Sequence, residues 1–190
     1  MDVCSILIEA ENFGLENRTT LKIHIGGNTS KEGWKILDVQ DGPHVDFLGN
    51  CTDMSFIEDE SVGEIYASHV FEHLGHRQEL LPALSECHRI LCANGRLLMS
   101  VPDLRKLAAL FSVDGLSTNQ LYEIMLMMFG GQLTPHDFHK TGLFEELIVN
   151  YLQTAGFKSI EKVDEFGLFK DSSVRRFGGI LISLNIIAVK

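Results

Sequence analysis

The chain has 190 residues, 45% of them hydrophobic, and sets 16 basic against 26 acidic side chains for a formal charge of −10. That length supports one domain, 1–190, with a sizeable core, and the acidic balance removes any general attraction to nucleic acid or to an anionic membrane. No apolar run approaches the roughly 20 residues of a bilayer span, and MDVCSILIEAENFGLENR lacks the basic start and long apolar run of a secretory signal, so a cytoplasmic protein with a small-molecule partner is expected.

In chain order, the first predicted strand is Leu21–Ile25, followed by Gly26 and Gly27. A second, Lys35–Val39, carries Asp38 near its end. Only twelve positions separate Gly26 from Asp38. A dinucleotide fingerprint places its acidic residue about 20 residues on, with a full helix between. The first crossover helix is therefore expected to be reduced to a turn. A third strand, Val45–Leu48, leads into GNCTDMSF with Asp53, and a fourth, Glu64–Ala67, runs into SHVFEHLGH. In HRQELLPALSECHRIL, Leu80, Leu84, Cys87, His88 and Leu91 recur at helical spacing. Pro82 fits only if this helix starts near Glu79, and Asn94-Gly95 supplies a stop. A fifth strand, Arg96–Val101, ends in VPD.

Further helices are predicted from Asp103, over Asn119–Phe129, and from after Thr141 to a closing Gly156. The last strands, Lys158–Val163 and a run near Ile180–Val189, are joined without a clear helix, which reads as an antiparallel hairpin at a sheet edge. Strands alternating with helices predict an α/β fold with a mainly parallel sheet. The four cysteines, Cys4, Cys51, Cys87 and Cys92, are scattered without a C-x-x-C pair and read as small buried hydrophobes.

Open α/β sheets bind ligands beyond the carboxyl ends of their strands, and several polar groups fall there. Gly26-Gly27 is a tight turn or a site of close backbone approach. Asp38 either turns the chain or accepts two ribose hydroxyls. Asp53 is a helix cap or the acceptor for an adenine amine. His69, Glu72, His73 and His76 make an H-x-x-E-H pattern. No third ligand stands nearby, so satisfied polar groups are expected there and no metal. His69, His73, His136 and His139 are candidate general bases, since a histidine near neutral pKa suits the task.

Read together, KIHIGG, GWKILDV, GNCTDMSF, SHVFEHL and RILCANGRLLMSVPD resemble the class I S-adenosylmethionine-dependent methyltransferases. The likeness is to the small, compact methyltransferase-11-like branch. It runs in register from about Leu21 to Asp103 and resumes at HKTGLFEELIVNYLQTAGFKSIE. It implies a Rossmann-like, mostly parallel seven-stranded sheet with an antiparallel last strand and helices on both faces. The implied cofactor is S-adenosyl-L-methionine. Ile25, Gly26 and Gly27 would lie against its methionine part. Asp38 would hold the ribose, Asp53 and Met54 the adenine. Ser68 and His69 would floor the reacting centre, with His69, His73 and His139 as catalytic candidates.

The segment 104–141 would choose the acceptor, expected to be a small molecule or saccharide. Its LYEIMLMMFGG stripe suits core, an adaptable pocket, or contact between two copies in a homodimer, and Gly130-Gly131 suits a hinge. The shortened Gly26–Asp38 connection keeps a second reading open, that of a catalytically inactive binding module on the same fold.

Overall fold

The computed structural model describes residues 20–190; Cys4 and the N-terminal segment lie outside that range. Nine strands and four α-helices follow in the order β1 (Leu21–Ile25), β2 (Lys35–Asp38), β3 (Phe47–Leu48), β4 (Val62–Ser68), α1 (Leu80–Ile90), β5 (Leu91–Pro102), α2 (Leu104–Phe111), α3 (Thr118–Phe129), α4 (Glu145–Ala155), β6 (Ser159–Val163), β7 (Arg176–Phe177), β8 (Ile180–Leu181) and β9 (Ser183–Val189). A 3-10 turn, Phe71–His73, follows β4. Seven strands form one sheet in the order β3-β2-β1-β4-β5-β9-β6. β9 runs antiparallel to both β5 and β6, while β1 to β5 pair in parallel. The chain order reverses beside β1, where β4 returns to its other edge.

Period-two alternation decides what each strand face meets. Ile23, Ile25, Ile65, Ala67, Leu97 and Met99 point to one side and join Leu80, Leu84, Cys87 and Ile90 of α1 and Ile148 and Leu152 of α4 in the main core. On the other side Trp34, Tyr66 and Leu98 are covered by Phe166, Leu168 and Phe169 of the loop after β6. A third cluster, Leu107, Leu110, Ile124, Met127 and Ile182, seats α2 and α3 beyond the sheet. The methionine-rich stripe of α3 thus contributes core, while Tyr122 and Phe129 on the same helix stay exposed. Among the described residues no helix is long and apolar enough to cross a membrane.

The local signals behave as their chemistry predicts. Pro82 sits in the first turn of α1, where its missing N–H costs nothing. Asp103 caps α2 by accepting from the N–H groups of Arg105 and Lys106. Gly156 closes α4 at φ 106°. Between β1 and β2 the chain turns without a helix, and Gly26 N–H bonds the Leu37 carbonyl at 2.9 Å. One boundary differs from expectation. α1 ends at Ile90 rather than at Asn94-Gly95, because Leu91 already pairs with Val62 as a sheet residue.

Candidate functional site

Two cavities open side by side past the carboxyl ends of the parallel strands. The first, of about 320 Å³, lies over β1, β2 and β4 and is bordered by Gly26, Asp38, Asn50, Cys51, His69 and Lys140 among others. Its apolar walls are Ile25, Leu37, Val39, Val70 and Leu74. The second, of about 340 Å³, lies against α3 and the loop before α4 and is bordered by Glu123, Met127, Asp137, His139, Ser172 and Arg175. His69 and His73 border both cavities.

Of the residues singled out from sequence, Ile25, Gly26, Asp38, His69 and His136 meet at the first cavity, with His73 beside them. Gly26 takes φ +70°, and a Cβ there would come within 2.6 Å of the Val70 side chain. Asp38 ties the β2 end to its surroundings: Oδ1 accepts from Gln40 N–H at 2.7 Å, and its carbonyl accepts from Gly49 N–H. Gly27, Asp53, Met54 and Ser68 do not border this cavity. Gly27 instead makes room for the buried imidazole of His24, whose Nδ1 would lie 2.6 Å from a Cβ. Met54 is fully buried in the main core. Ser68 Oγ donates to Asp171 at 3.1 Å.

Asp53 is turned away because the loop winds through two consecutive side-chain turns. Asn50 Oδ1 accepts from Thr52 N–H and Asp53 Oδ1 accepts from Ser55 N–H. This winding brings Asn50 and Cys51 to the cavity wall and leaves Asp53 outside. The Ser55 bonds hold the Asp53 carboxyl below its usual range.

At the junction of the cavities stands a buried cluster. His69 directly follows β4 with φ +56°, a left-handed conformation unusual for a side chain with a Cβ. Such strain gathers at functional positions. Its Nε2 lies 2.9 Å from Ser183 Oγ, and that hydroxyl donates to the Ser172 carbonyl. His69 must therefore donate through Nε2–H, which leaves Nδ1 with a lone pair. Burial, with the nearby His139, lowers the His69 pKa to about 3. His73 Nδ1 donates to the Phe138 carbonyl at 3.1 Å, so its Nε2 also carries a lone pair. Burial lowers the pKa of His73 and of His139, whose rings meet edge to face at 4.8 Å. Glu72 is 1% exposed, and burial pushes its carboxyl up to about 8.

Sequence reasoning missed Asn50, Cys51 and Lys140 in the first cavity, and Arg175 and Asp137 in the second. None of these stands in a pattern of its own. The signal that could have found Asn50 is its place immediately after Gly49, at the end of β3.

Residues 18–99 match the family model described as a methyltransferase domain. The fold is similar to that of a SAM-dependent methyltransferase from Archaeoglobus fulgidus, with TM-score 0.58 and 14% identity over 98% of this chain and 93% of that one. It is also similar to the 1,6-didemethyltoxoflavin-N1-methyltransferase of Burkholderia thailandensis, solved with 1,6-didemethyltoxoflavin and S-adenosylhomocysteine bound. There the TM-score is 0.56 and the identity 15%, over 99% of this chain and 77% of that one. A third similar structure is a possible histamine N-methyltransferase of Thermotoga maritima, with TM-score 0.53 and 15% identity over 97% and 88% of the two chains. No curated protein sequence matches the chain. The sheet order with an antiparallel β9 between β5 and β6 is that of the class I methyltransferase fold.

Proposed function

We propose that this chain, whose residues 18–99 match the methyltransferase domain model, carries the methyl group of S-adenosylmethionine to a small, polar acceptor. The observation that carries the reading is the meeting of two cavities at His69 and His73. The first has the size of pockets that bury a small organic ligand, roughly 300–1,000 Å³. Its lining fits a nucleoside with an amino-acid tail. Apolar walls suit the base and the thioether chain, Asp38 suits the ribose hydroxyls, and the glycine at 26 lets backbone come close. With Asn50 Oδ1 engaged by Thr52, its amide NH₂ remains to address the base. We assign that role to Asn50 rather than to Asp53, with Cys51 beside it in place of Met54.

When bound, the cofactor supplies a methyl group already activated on a positive sulfur. The protein's task is then chiefly to align the acceptor, which can provide roughly 7–11 kcal/mol of the barrier. Burial disfavours the charged form of His69, His73 and His139, so each offers a lone pair toward the acceptor. The acceptor enters from the second cavity. Glu123, Asp137, Ser172 and Arg175 there suit a ligand with several hydroxyl or amino groups, as a saccharide has. The chain acts as one domain with 104–141 as its acceptor-selecting part.

Calorimetric titration with S-adenosylhomocysteine tests this reading. Binding is expected in the wild type. Asp38→Ala and Asn50→Ala should each weaken it about tenfold or more, the worth of one hydrogen bond to a charged or buried group. Asp53→Ala should leave it within about twofold. No heat of binding at millimolar ligand would remove the cofactor assignment, and a loss confined to Asp53→Ala would return the base to that residue.

A further inference from the structure

Glu72 presents a problem that the cofactor reading does not solve. Both of its carboxylate oxygens are buried and lack a hydrogen-bond partner among the described residues. His69 Nδ1 lies only 3.4 Å from Oε1, but in the tautomer fixed by Ser183 it has no proton to give. His139 Nε2 stands 3.9 Å from the same oxygen. One ligand atom each from Glu72, His73 and His139 lie within 4.8 Å of one another. The hydrogen bonds behind His69 and His73 thus turn their lone pairs inward, beside a buried carboxyl group that makes no hydrogen bond among the described residues.

We infer that Glu72, His73 and His139 bind a divalent transition cation of the zinc type, at the wall between the two cavities. Two imidazoles and one carboxylate form a donor set that zinc and its neighbours take up in open sites, where a fourth position is left for an exogenous ligand. Bonds of about 2.1 Å would require the donors to close in by roughly 1 Å. The half-buried histidines can do this by side-chain rotation.

The supporting contacts are those that ligating histidines usually have. His73 is oriented by its Nδ1–H bond to the Phe138 carbonyl, which leaves Nε2 for a metal. Thr141 N–H, bonding the Glu72 carbonyl, ties the loop that carries His139 to the 3-10 turn that carries the other two ligands. The sequence concealed the site because His139 is far along the chain from the H-x-x-E-H pattern. The open side of the cation would face the second cavity, lined by His73, His139 and Asp137. An oxygen or nitrogen of the acceptor would fill the remaining position there, which deepens the functional reading by making the acceptor a metal-chelating small molecule.

Cobalt(II) serves as the probe, because its visible absorption reports both occupancy and geometry. Untagged, chelator-stripped full-length protein should take up about one equivalent of Co²⁺ and develop visible bands that Zn²⁺ then displaces. Glu72→Gln and His139→Gln should each weaken Co²⁺ binding by about 100-fold or more, the upper end of what even supporting residues contribute. Glu72→Gln preserves shape and leaves a neutral group, and circular dichroism would verify its fold. His76→Ala, at an exposed histidine beside the motif, should leave the bands unchanged. A wild type without bands, or bands that persist in both Gln variants, would overturn the site. S-adenosylhomocysteine affinity measured on the same samples reports on the cofactor cavity separately, so loss of the cation site alone would leave the methyltransferase reading intact.

Discussion

His24 shows how a residue outside either cavity explains one that had looked functional. Its ring is 5% exposed, packed edge to face on Tyr66 at 5.0 Å and tilted on Phe169 at 4.3 Å. Its Nδ1 has no hydrogen-bond partner among the described residues. Gly27 is the residue that leaves space for it. Burial lowers the His24 pKa from 6.5 to about 4, against a weaker pull upward from Asp171. Below pH 6.5 the unfolded chain takes a proton at His24 that the folded chain refuses until about pH 4. Its contribution to stability is therefore complete above pH 6.5 and lost as the pH falls through that window, to a total of roughly 3 kcal/mol. Urea titrations at pH 7 and pH 4.5 should show His24→Phe losing less stability on acidification than the wild type; equal losses would mean that His24 titrates normally in the fold. The same scale explains what sequence could offer for the site. Asp38 was legible because it ends a strand, and His69 because it directly follows one. Asn50 and Asp53 are three apart in one loop, and only the winding of two side-chain turns decides which of them faces inward.

At the scale of elements, the loop between β3 and β4 is held by a single guanidinium on α1. Arg89 donates to the carbonyls of Met54 and Ile57 and to the carboxylates of Glu86 and Asp59, at 2.6–2.9 Å. Glu86 in turn accepts from Met54 N–H. This fork fixes the loop whose beginning, Asn50-Cys51, walls the first cavity. A lysine carries the charge but cannot reach four partners in one plane. Arg89→Lys should therefore cost about 2 kcal/mol in chemical denaturation and weaken S-adenosylhomocysteine binding several-fold by releasing the loop. Destabilisation without any change in affinity would show that the loop holds its shape unaided. Element type was legible wherever periodicity or capping was strong: β1, α2 with its Asp103 cap, and α4 with Gly156. Pairing escaped sequence reading. β3 shrinks to Phe47–Leu48 because the Asp46 side chain, not its backbone, takes the Ile36 N–H, and Leu91 leaves α1 for the sheet because Val62 is there to meet it. Neither partner is visible in the segment itself.

For the whole molecule, the sheet order separates two tasks. The ends of β1, β2 and β4 at the reversal of chain order build most of the first cavity, joined by Pro135, His136 and Lys140 of the loop before α4. The second is built by what the chain adds after β5, namely α3, the loop carrying His139, and the segment Ser172–Ile182. The two share only His69 and His73. Substitutions deep in one should then act on one task, because sites without shared partners contribute nearly additively. Leu126 of α3 borders the second cavity and is only partly buried, so a larger side chain can grow into that space without overfilling a core. Leu126→Trp should leave S-adenosylhomocysteine affinity within about twofold, while lowering kcat/KM for an acceptor found by product screening by about tenfold or more, as a blocked pocket would. Asp38→Ala should do the reverse at saturating acceptor, raising the cofactor requirement. If Leu126→Trp instead abolished cofactor binding, the two cavities would be one continuous site, and the acceptor would have to lie elsewhere on the surface.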